Sequence, residues 1–157
     1  MAENEKTVKH SKTEQVHIVF GSHINGAGRL FGGKLMQWID TVGAVVARRH
    51  AHCEVTTAAI DSLEFKAAVR VNSTLVLIGE MTYAGRTSME VKVDTYTEEL
   101  SGLRKLVNRA YIVFVALDSE NRPKEVPGLK PESDEEIFNF WQGEQRQRLR
   151  KKRRDQL

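Results

Sequence analysis

Two consecutive glycines, Gly32 and Gly33, stand at the start of a predicted helix that covers about residues 31–50. The first N–H groups of a helix have no intrahelical acceptor, and they lie at the positive end of its dipole. Because glycine has no Cβ, neither residue blocks the approach of a ligand to these groups. The arrangement can hold an oxyanion or polarise a carbonyl group.

A single acid, Asp40, lies further along the same predicted helix. At about 100° per residue, its face is otherwise made of small or slender residues: Gly33, Met36, Gly43, Ala44 and Ala47. Such a face lets a ligand or a second backbone come close, and a buried acid without a partner is costly. Asp40 is therefore a candidate functional acid. The alternative is that Asp40 lies at the edge of the core, bonded to Thr41 or to an arginine.

A third candidate, Asn25, lies in the glycine-rich segment 21–28, fifteen residues before Asp40. Its amide can orient a water molecule or a carbonyl group from a loop that could fold back over the helix. Asn-Gly is also a common turn dipeptide, so Asn25 and Gly26 are equally compatible with a structural role.

The rest of the pattern predicts the elements that position these residues. One strand is expected at residues 15–20, and four strand-like stretches with short connections follow Cys53. Short connections imply an antiparallel sheet, and the apolar face of the helix is expected to cover one side of it. Within residues 89–94 apolar and charged residues alternate, which predicts a strand with one buried and one solvated face. The apolar run 110–117 predicts a strand buried on both faces, and the fold class is α+β.

Three segments are expected along the chain. Residues 1–13 are polar and predict a flexible N-terminus, residues 14–130 form the folded domain, and residues 131–157 form a terminal helix with a basic tail. All three prolines lie within residues 123–131, where the sheet should end. Ser133 is a candidate N-cap of the terminal helix, because Glu136 follows it three residues later.

Composition excludes several classes of protein. The only cysteine is Cys53, so neither an intrachain disulfide nor a metal site built on paired cysteines can form, and we expect no metal. The N-terminus has no apolar signal region, and no run of about 18 apolar residues could cross a membrane. The expected location is the cytoplasm. The formal net charge of +3 comes mainly from the tail at residues 146–157.

Together these motifs resemble the acyl-CoA thioesterases of the hotdog superfamily, in particular the cytosolic acyl-CoA hydrolase branch. The resemblance covers residues 14–130. It is carried, in order, by the Asn of the glycine-rich loop, "FGG" at 31–33, "QWID" at 37–40, "GAVVA" at 43–47, and the strand sequences 56–93 and 108–118. Many relatives have His where this chain has Phe31, so Phe31 is given no catalytic role.

The resemblance implies a hotdog fold, a long central helix wrapped by a five-stranded antiparallel sheet, here followed by a C-terminal helix. It implies acyl-CoA as substrate, with no cofactor apart from the CoA portion of that substrate. It also implies a homodimer with active sites at the seam between subunits, further assembled as a trimer of dimers. The small-residue face of the helix would then meet the substrate channel and the partner.

The resemblance also implies roles for individual residues. Asp40 would be the general base or the nucleophile, and Asn25, from the opposite subunit, would position the water or the carbonyl group. Backbone N–H groups around Gly32 and Gly33 would stabilise the oxyanion. CoA would be bound by residues of the turn and of the strand after the helix: Asp61, Phe65, Lys66, Arg86, Thr87 and Ser88.

Two other functions fit parts of the sequence. A dehydratase of the same fold would use a histidine with an acid, and His23 is available, but the helix pattern matches the thioesterases better. A nucleic-acid-binding module would use the basic tail for phosphate contacts. Nucleic acid is not the expected partner, because such a charge run is more commonly a solvated helix, here one that braces an oligomer.

Overall fold

The computed structural model describes residues 4–156. The described chain begins with two short elements and the first strand of the main sheet: β1 (Glu5–Thr7), α1 (Val8–Ser11) and β2 (Thr13–Ile18). The long helix α2 (Gly32–Ala51) follows a loop that contains a 3-10 turn at Gly21–His23. The remaining elements are β3 (Glu54–Phe65), β4 (Thr74–Ala84), β5 (Ser88–Glu98), β6 (Arg104–Leu117), β7 (Gly128–Lys130) and α3 (Asp134–Asp155).

Five strands form one antiparallel sheet in the order β2-β4-β5-β6-β3, and α2 packs against one face of it. We call this face the inner face and the opposite one the outer face. The expected architecture of a long helix on a five-stranded antiparallel sheet, with a helix at the C-terminus, is confirmed. Strand β6 is an interior strand, as its apolar run predicts, whereas β2 and β3 are the two edges.

The apolar face of α2 makes the core. Five apolar residues of this face are buried: Leu35, Trp38, Ile39, Val42 and Val46. Gly79 of β4 permits the close approach of this helix, because a Cβ there would lie 2.7 Å from Val42 Cγ1. The helix ends at His52, whose left-handed φ of 55° terminates it.

The small-residue face of α2 is divided between two environments. Gly43 and Ala47 are buried against the sheet, and a Cβ on Gly43 would lie 2.9 Å from the ring of Phe114. The expectation that this whole face meets a substrate or a partner is therefore wrong for Gly43 and Ala47. Met36 is exposed, and Asp40 and Ala44 are half-buried, so the face stays accessible at these three positions.

The charged side chains of β5 correct the expectation of a solvated outer face. Glu90, Lys92 and Asp94 are only 1%, 6% and 5% exposed. Lys92 Nζ lies 3.4 Å from a carboxylate oxygen of Glu80, and Arg109 binds both carboxylate oxygens of Asp94 at 2.7 and 2.9 Å. Cross-strand ion pairs thus cover Lys92 and Asp94, while α3 covers Glu90.

Helix α3 begins at its predicted N-cap, where Ser133 Oγ accepts a hydrogen bond from the Glu136 N–H at 3.1 Å. The helix crosses the outer face, with Gly143 against Tyr83 and Glu90. Arg146 donates two hydrogen bonds to the Glu90 carboxylate, at 2.7 and 2.9 Å. Burial opposes its charge, but the bond to Glu90 raises the pKa of Arg146 overall.

The basic tail is therefore not a solvated helix throughout. The side chains of Arg146 and Arg150 are only 19% and 14% exposed, because both face acids of the sheet. The charges at these two positions hold α3 on its own subunit.

Residues 5–13 also correct an expectation, since they were predicted to be flexible. Strand β1 pairs in parallel with β7, and Val8 and Ser11 of α1 are buried at 4% and 0% exposure. Residues 1–3 of that predicted segment lie outside the described residues. No helix in the described chain is long and apolar enough to cross a membrane.

Candidate active site

Asp40 forms a short hydrogen bond with a strand residue. The hydroxyl of Thr57, on β3, donates to Asp40 Oδ1 at 2.7 Å. The partner is neither Thr41, whose hydroxyl donates to the Gln37 carbonyl, nor an arginine. Asp40 is half-buried and Thr57 is exposed, so this pair can be reached from outside the subunit.

An irregularity of β3 positions Thr57. The pairing of β3 with β6 runs from Thr57 opposite Phe114 to Ala59 opposite Val113, so Ala58 is an extra, unpaired residue. Such a bulge bends a strand and re-aims its side chains, often beside an active site. Thr57 was missed in the sequence analysis, because only the register of β3 against β6 and the bulge show which threonine faces α2.

The N-terminus of α2 has the predicted free donors. The N–H groups of Lys34 and Leu35 donate to the Phe31 carbonyl at 3.0 and 3.2 Å. Among residues 4–156, neither Gly32 nor Gly33 has an acceptor for its N–H group. A Cβ on Gly33 would lie 2.6 Å from the ring of the exposed Phe31, so a side chain at this position would displace that ring.

Asn25 closes a turn and lines a cleft. Its side-chain oxygen accepts hydrogen bonds from the N–H groups of Ala27 and Arg29, at 3.0 and 3.3 Å, which is the structural role weighed above. The amide NH₂ group has no acceptor within the described residues. Asn25, Phe65 and Lys66 line a cleft of about 370 Å³, which we call the loop cleft.

The loop cleft adjoins the helix N-terminus, because a Cβ on Gly32 would lie 3.9 Å from the Phe65 ring. Asp40 does not line it. Eight residues separate Gly32 from Asp40, so at about 1.5 Å per residue they are ~12 Å apart along the helix. A general base must lie within about 3 Å of the atom that carries the proton it takes, or reach that atom through one water. In a single subunit, Asp40 and the N–H groups of its own helix therefore cannot act on the same carbonyl group.

The remaining predicted site residues are divided between two places. Arg86 is exposed and lies 3.7 Å from Glu125, and the Thr87 carbonyl accepts a backbone bond from Ala116. Neither Arg86 nor Thr87 lines a cleft together with the other predicted site residues. Ser88 and Asp61 line a second cleft of about 400 Å³ on the outer face, beside α3, which we call the outer cleft.

The histidines near the loop have packing roles. His23 Nδ1 accepts the Phe20 N–H at 3.0 Å, and its ring lies edge-on to Trp38. The ring of His17 stacks on Trp38 at 4.1 Å, and burial lowers its pKa, with His23 and Lys34 adding to the shift. No histidine pairs with Asp40 within one subunit among the described residues. Residues 4–156 also contain no cluster of three or more potential metal ligands.

Comparison with known proteins places this geometry in a family context. The sequence profile of the thioesterase superfamily matches residues 27–102. A Bacillus subtilis protein, named as an uncharacterized acyl-CoA thioester hydrolase, is 38% identical over 147 residues, covering 93% of this chain and 86% of that one. The acyl-CoA hydrolase of Staphylococcus aureus, solved with butyryl-CoA, CoA and CoA disulfide, superimposes with a TM-score of 0.92 at 36% identity, covering 97% and 93% of the two chains. A hexameric acyl-CoA thioesterase solved in the apo state gives a TM-score of 0.91 at 38% identity, covering 95% and 96%.

The Staphylococcus aureus enzyme has also been solved with single alanine substitutions of an asparagine, an aspartate and a threonine. In that enzyme the asparagine precedes the aspartate by 15 residues, and the threonine follows the aspartate by 17. Asn25, Asp40 and Thr57 have the same residue types, order and spacings.

Proposed function

This chain belongs to the thioesterase superfamily, and from that membership we propose that it hydrolyses acyl-CoA thioesters to a free fatty acid and CoA. The observation that carries the proposal is the Asp40–Thr57 hydrogen bond of 2.7 Å, at an accessible position of the helix. The spacing of Asn25, Asp40 and Thr57 supports it, because the same three residue types were substituted in the Staphylococcus aureus acyl-CoA hydrolase.

In the proposed reaction, Asp40 either activates water as a general base or attacks the thioester as a nucleophile. The Thr57 hydroxyl holds Oδ1, which leaves Oδ2 to take a proton from water or to form the new bond. In the general-base route, the hydroxyl of the activated water adds to the carbonyl carbon, the carbonyl–sulfur bond breaks, and the proton taken by Asp40 passes to the leaving thiolate to give CoA. In the nucleophile route, the carboxylate displaces the thiolate, which takes a proton from water, and a water molecule then hydrolyses the mixed anhydride to free acid and the Asp40 carboxylate.

The free N–H groups of Gly32 and Gly33 would stabilise the oxyanion that develops on the thioester carbonyl. Because they lie ~12 Å from Asp40 along the helix, this role requires the helix N-terminus of a second subunit. Asn25 lies beside the helix N-terminus of its own subunit, so it would come from the same second subunit and would position the water or the carbonyl group. Each active site would then lie at the seam of a homodimer.

Strand β3 supplies a surface for such a dimer. It has 12 residues, pairs with β6 on one side, and has no strand partner on its other side in the described chain. A long unpaired edge is a natural place for a second copy to add its own strand. We further propose a trimer of dimers, in line with the hexameric acyl-CoA thioesterase of similar structure.

The predicted CoA contacts remain proposals. Phe65 and Lys66 line the loop cleft with Asn25 and would hold the part of the substrate near the thioester. Ser88 and Asp61 lie in the outer cleft. Arg86 and Thr87, in the turn between β4 and β5, would contact CoA phosphate from outside both clefts.

The direct test is release of free thiol from acyl-CoAs of increasing chain length, with the mass in solution measured on the same sample. We expect hydrolysis by an oligomer with an even number of subunits. A folded protein that releases no thiol from any acyl-CoA would contradict the proposal.

Replacing Thr57 by valine keeps the shape of the side chain and removes the hydrogen bond to Asp40. We expect kcat to fall by about ten- to a hundredfold with little change in stability, because a carboxylate that is no longer held spends less time in the reactive orientation. Thr56→Val is the matched control, since Thr56 is exposed and adjacent side chains of a strand point to opposite faces. Equal kcat values for the two variants would show that Thr57 does not position Asp40.

The seam can be tested by mixing two defective proteins. If Asp40 and Asn25 of one active site come from different subunits, coexpressed Asp40→Asn and Asn25→Ala chains should recover about a quarter of the wild-type activity, since random pairing restores both residues in that share of sites. Mixing Asp40→Asn with Thr57→Val should give no gain beyond the residual activity of the Thr57→Val chains, because Asp40 and Thr57 act within one subunit. Absence of recovery in the first mixture would place Asn25 and Asp40 in the same subunit or Asn25 outside the site.

A further inference from the structure

Short elements from distant parts of the chain form a small unit beside the C-terminal end of α2. Strands β1 and β7 pair over three residues each, from Glu5 opposite Gly128 to Thr7 opposite Lys130. A two-stranded sheet of this size is not stable alone. Val8 of α1 and Leu129 of β7 are only 4% and 7% exposed, so the unit depends on its contacts with the rest of the subunit. We call residues 5–12 and 127–130 the terminal unit.

A buried histidine of α2 holds the β7 side of the terminal unit. His50 is 0% exposed, and its Nε2 lies 2.8 Å from the carbonyl oxygen of Pro127. A carbonyl oxygen only accepts, so Nε2 carries a hydrogen and donates it. The other ring nitrogen, Nδ1, is buried and has no hydrogen-bond partner among the described residues. The contact is therefore complete with a neutral ring, and a second proton on that ring would find no acceptor.

Two further histidines hold the α1 side of the terminal unit. Nε2 of His10, in α1, lies 3.4 Å from Nε2 of His52, the residue that ends α2. One nitrogen must donate and the other must accept, so at least one of the two rings is neutral. When both rings are protonated, both nitrogens are donors and two positive charges face each other. The contact between α1 and α2 is then lost.

No acid compensates a positive charge on His50. The groups that act on its ring are Lys6 of β1, His10 and His52, and each of them is a cation when protonated. Burial is the main cause that lowers the pKa of His50; the bond to Pro127 opposes this shift, and the three cationic groups add to it. Other charged residues of the adjoining elements form no hydrogen bond or ion pair with a histidine in the described chain: Glu5, Lys9, Arg48, Arg49, Glu80 and Lys130.

The sign of the pH dependence follows from the burial of His50. Below the ordinary histidine pKa of about 6.5, an exposed His50 takes up a proton while the buried ring stays neutral. The opened state therefore binds more protons than the closed one in this range. The contribution of His50 to the closed state is complete above about pH 6.5 and is lost as the pH falls below that value toward the lowered pKa.

We propose that these histidines form an acid-sensitive latch, in which protonation of His50 and of the His10–His52 pair releases the terminal unit from α2 while the five-stranded sheet stays folded. Arg49 sets the boundary of the opening, because its guanidinium does not titrate and donates to Thr13 Oγ1 at 3.0 Å, at the start of β2. Release exposes Val8 and Leu129, so the opened state is a local unfolding.

Hydrogen–deuterium exchange of the full chain, at about pH 7.5 and about pH 5.5 and corrected for the intrinsic pH dependence of exchange, measures this opening. We expect amides of the terminal unit to lose protection by about tenfold or more at the lower pH, while amides of β5 keep theirs.

The combined variant His10→Gln and His50→Gln replaces both titrating contacts with amides, which can still donate to Pro127 and accept from His52 but do not ionise. Its protection in the terminal unit should change less than about twofold between the two pH values. His23→Gln is the matched control, because His23 contacts Phe20 and Trp38 and not the terminal unit, and it should keep the full loss. If the combined variant does not fold, His10→Gln alone, at an exposed position, should still reduce the loss by about threefold or more.

Three outcomes overturn the latch. The first is unchanged protection of the terminal unit in the unaltered protein at the lower pH. The second is an equal loss in β5, which indicates global unfolding. The third is the same loss in the latch variants as in His23→Gln. None of these outcomes bears on thiol release, so the proposed function is tested separately.

Discussion

Asp40→Asn protein is expected to lose about 10²–10⁴-fold in kcat, which is the range that general acid–base groups contribute. If Asp40 is the nucleophile, the loss should reach the upper end of that range or exceed it, because an amide can neither take the proton nor attack the carbonyl. The substitution changes one atom of a half-buried side chain, and the Thr57 hydroxyl can still donate to the amide oxygen. We therefore expect little change in thermal stability, and retained binding of CoA.

Thiol release under saturating acyl-CoA measures the loss, and binding of free CoA shows that the site is still formed. Glu54→Gln makes a suitable control, since it applies the same chemical change to an exposed acid at the start of β3 and should leave turnover intact. Turnover by purified Asp40→Asn within a few-fold of the wild-type value would remove Asp40 from the mechanism.

The largest expected effect on stability comes from Glu90, far from Asp40 on the other face of the sheet. Its carboxylate is 0% exposed and accepts hydrogen bonds from Thr82, Arg146 and Arg150. Glu90→Gln removes the negative charge that Arg146 and Arg150 contact, while both arginine side chains stay largely buried. Removing one partner of a buried ion pair costs about 3–5 kcal/mol in the free energy of unfolding.

Denaturant unfolding checks this value, and the midpoint of thermal unfolding should fall by roughly 10 °C. The ion pair between Arg48 and Glu54 offers a comparison, because its side chains are 58% and 74% exposed. Breaking it with Glu54→Gln should cost less than about 1 kcal/mol, as for other surface pairs. If the two glutamine variants unfold with the same free energy, the contacts between α3 and Glu90 do not stabilise the fold.

Asp40 and Glu90 also show what a local sequence pattern can predict and what it cannot. The 3.6-residue period placed Asp40 on the small-residue face of α2, and the period of two placed Glu90 opposite the apolar side of β5. Both placements are correct, because each depends only on the geometry of one element. The solvent exposure inferred for Glu90 is wrong, because α3 begins 44 residues later in the chain and covers it.

For the small-residue face of α2, the pattern likewise predicts which residues share the face but not which of them are exposed. Its members were identified correctly from spacing, and the N-terminal half, with Met36 and Asp40, is accessible. Gly43 in the C-terminal half packs on Phe114 of β6, which the helix pattern cannot reveal. Likewise residues 5–13 look too polar to fold alone, but contacts with distant segments order them: β1 pairs with β7, more than a hundred residues away, and α1 packs against α2 and β4.

The sequence by itself therefore determined the long helix, the five-stranded antiparallel sheet, the terminal helix with its cap, and Asp40 as the candidate acid, since each follows from local periodicity or a family motif. Only the tertiary structure decided that Thr57 holds Asp40 and that the predicted CoA contacts are divided between two clefts and the turn between β4 and β5. These properties depend on strand register, on a bulge at Ala58 and on the docking of α3. Such features join residues distant in sequence, so no local pattern encodes them.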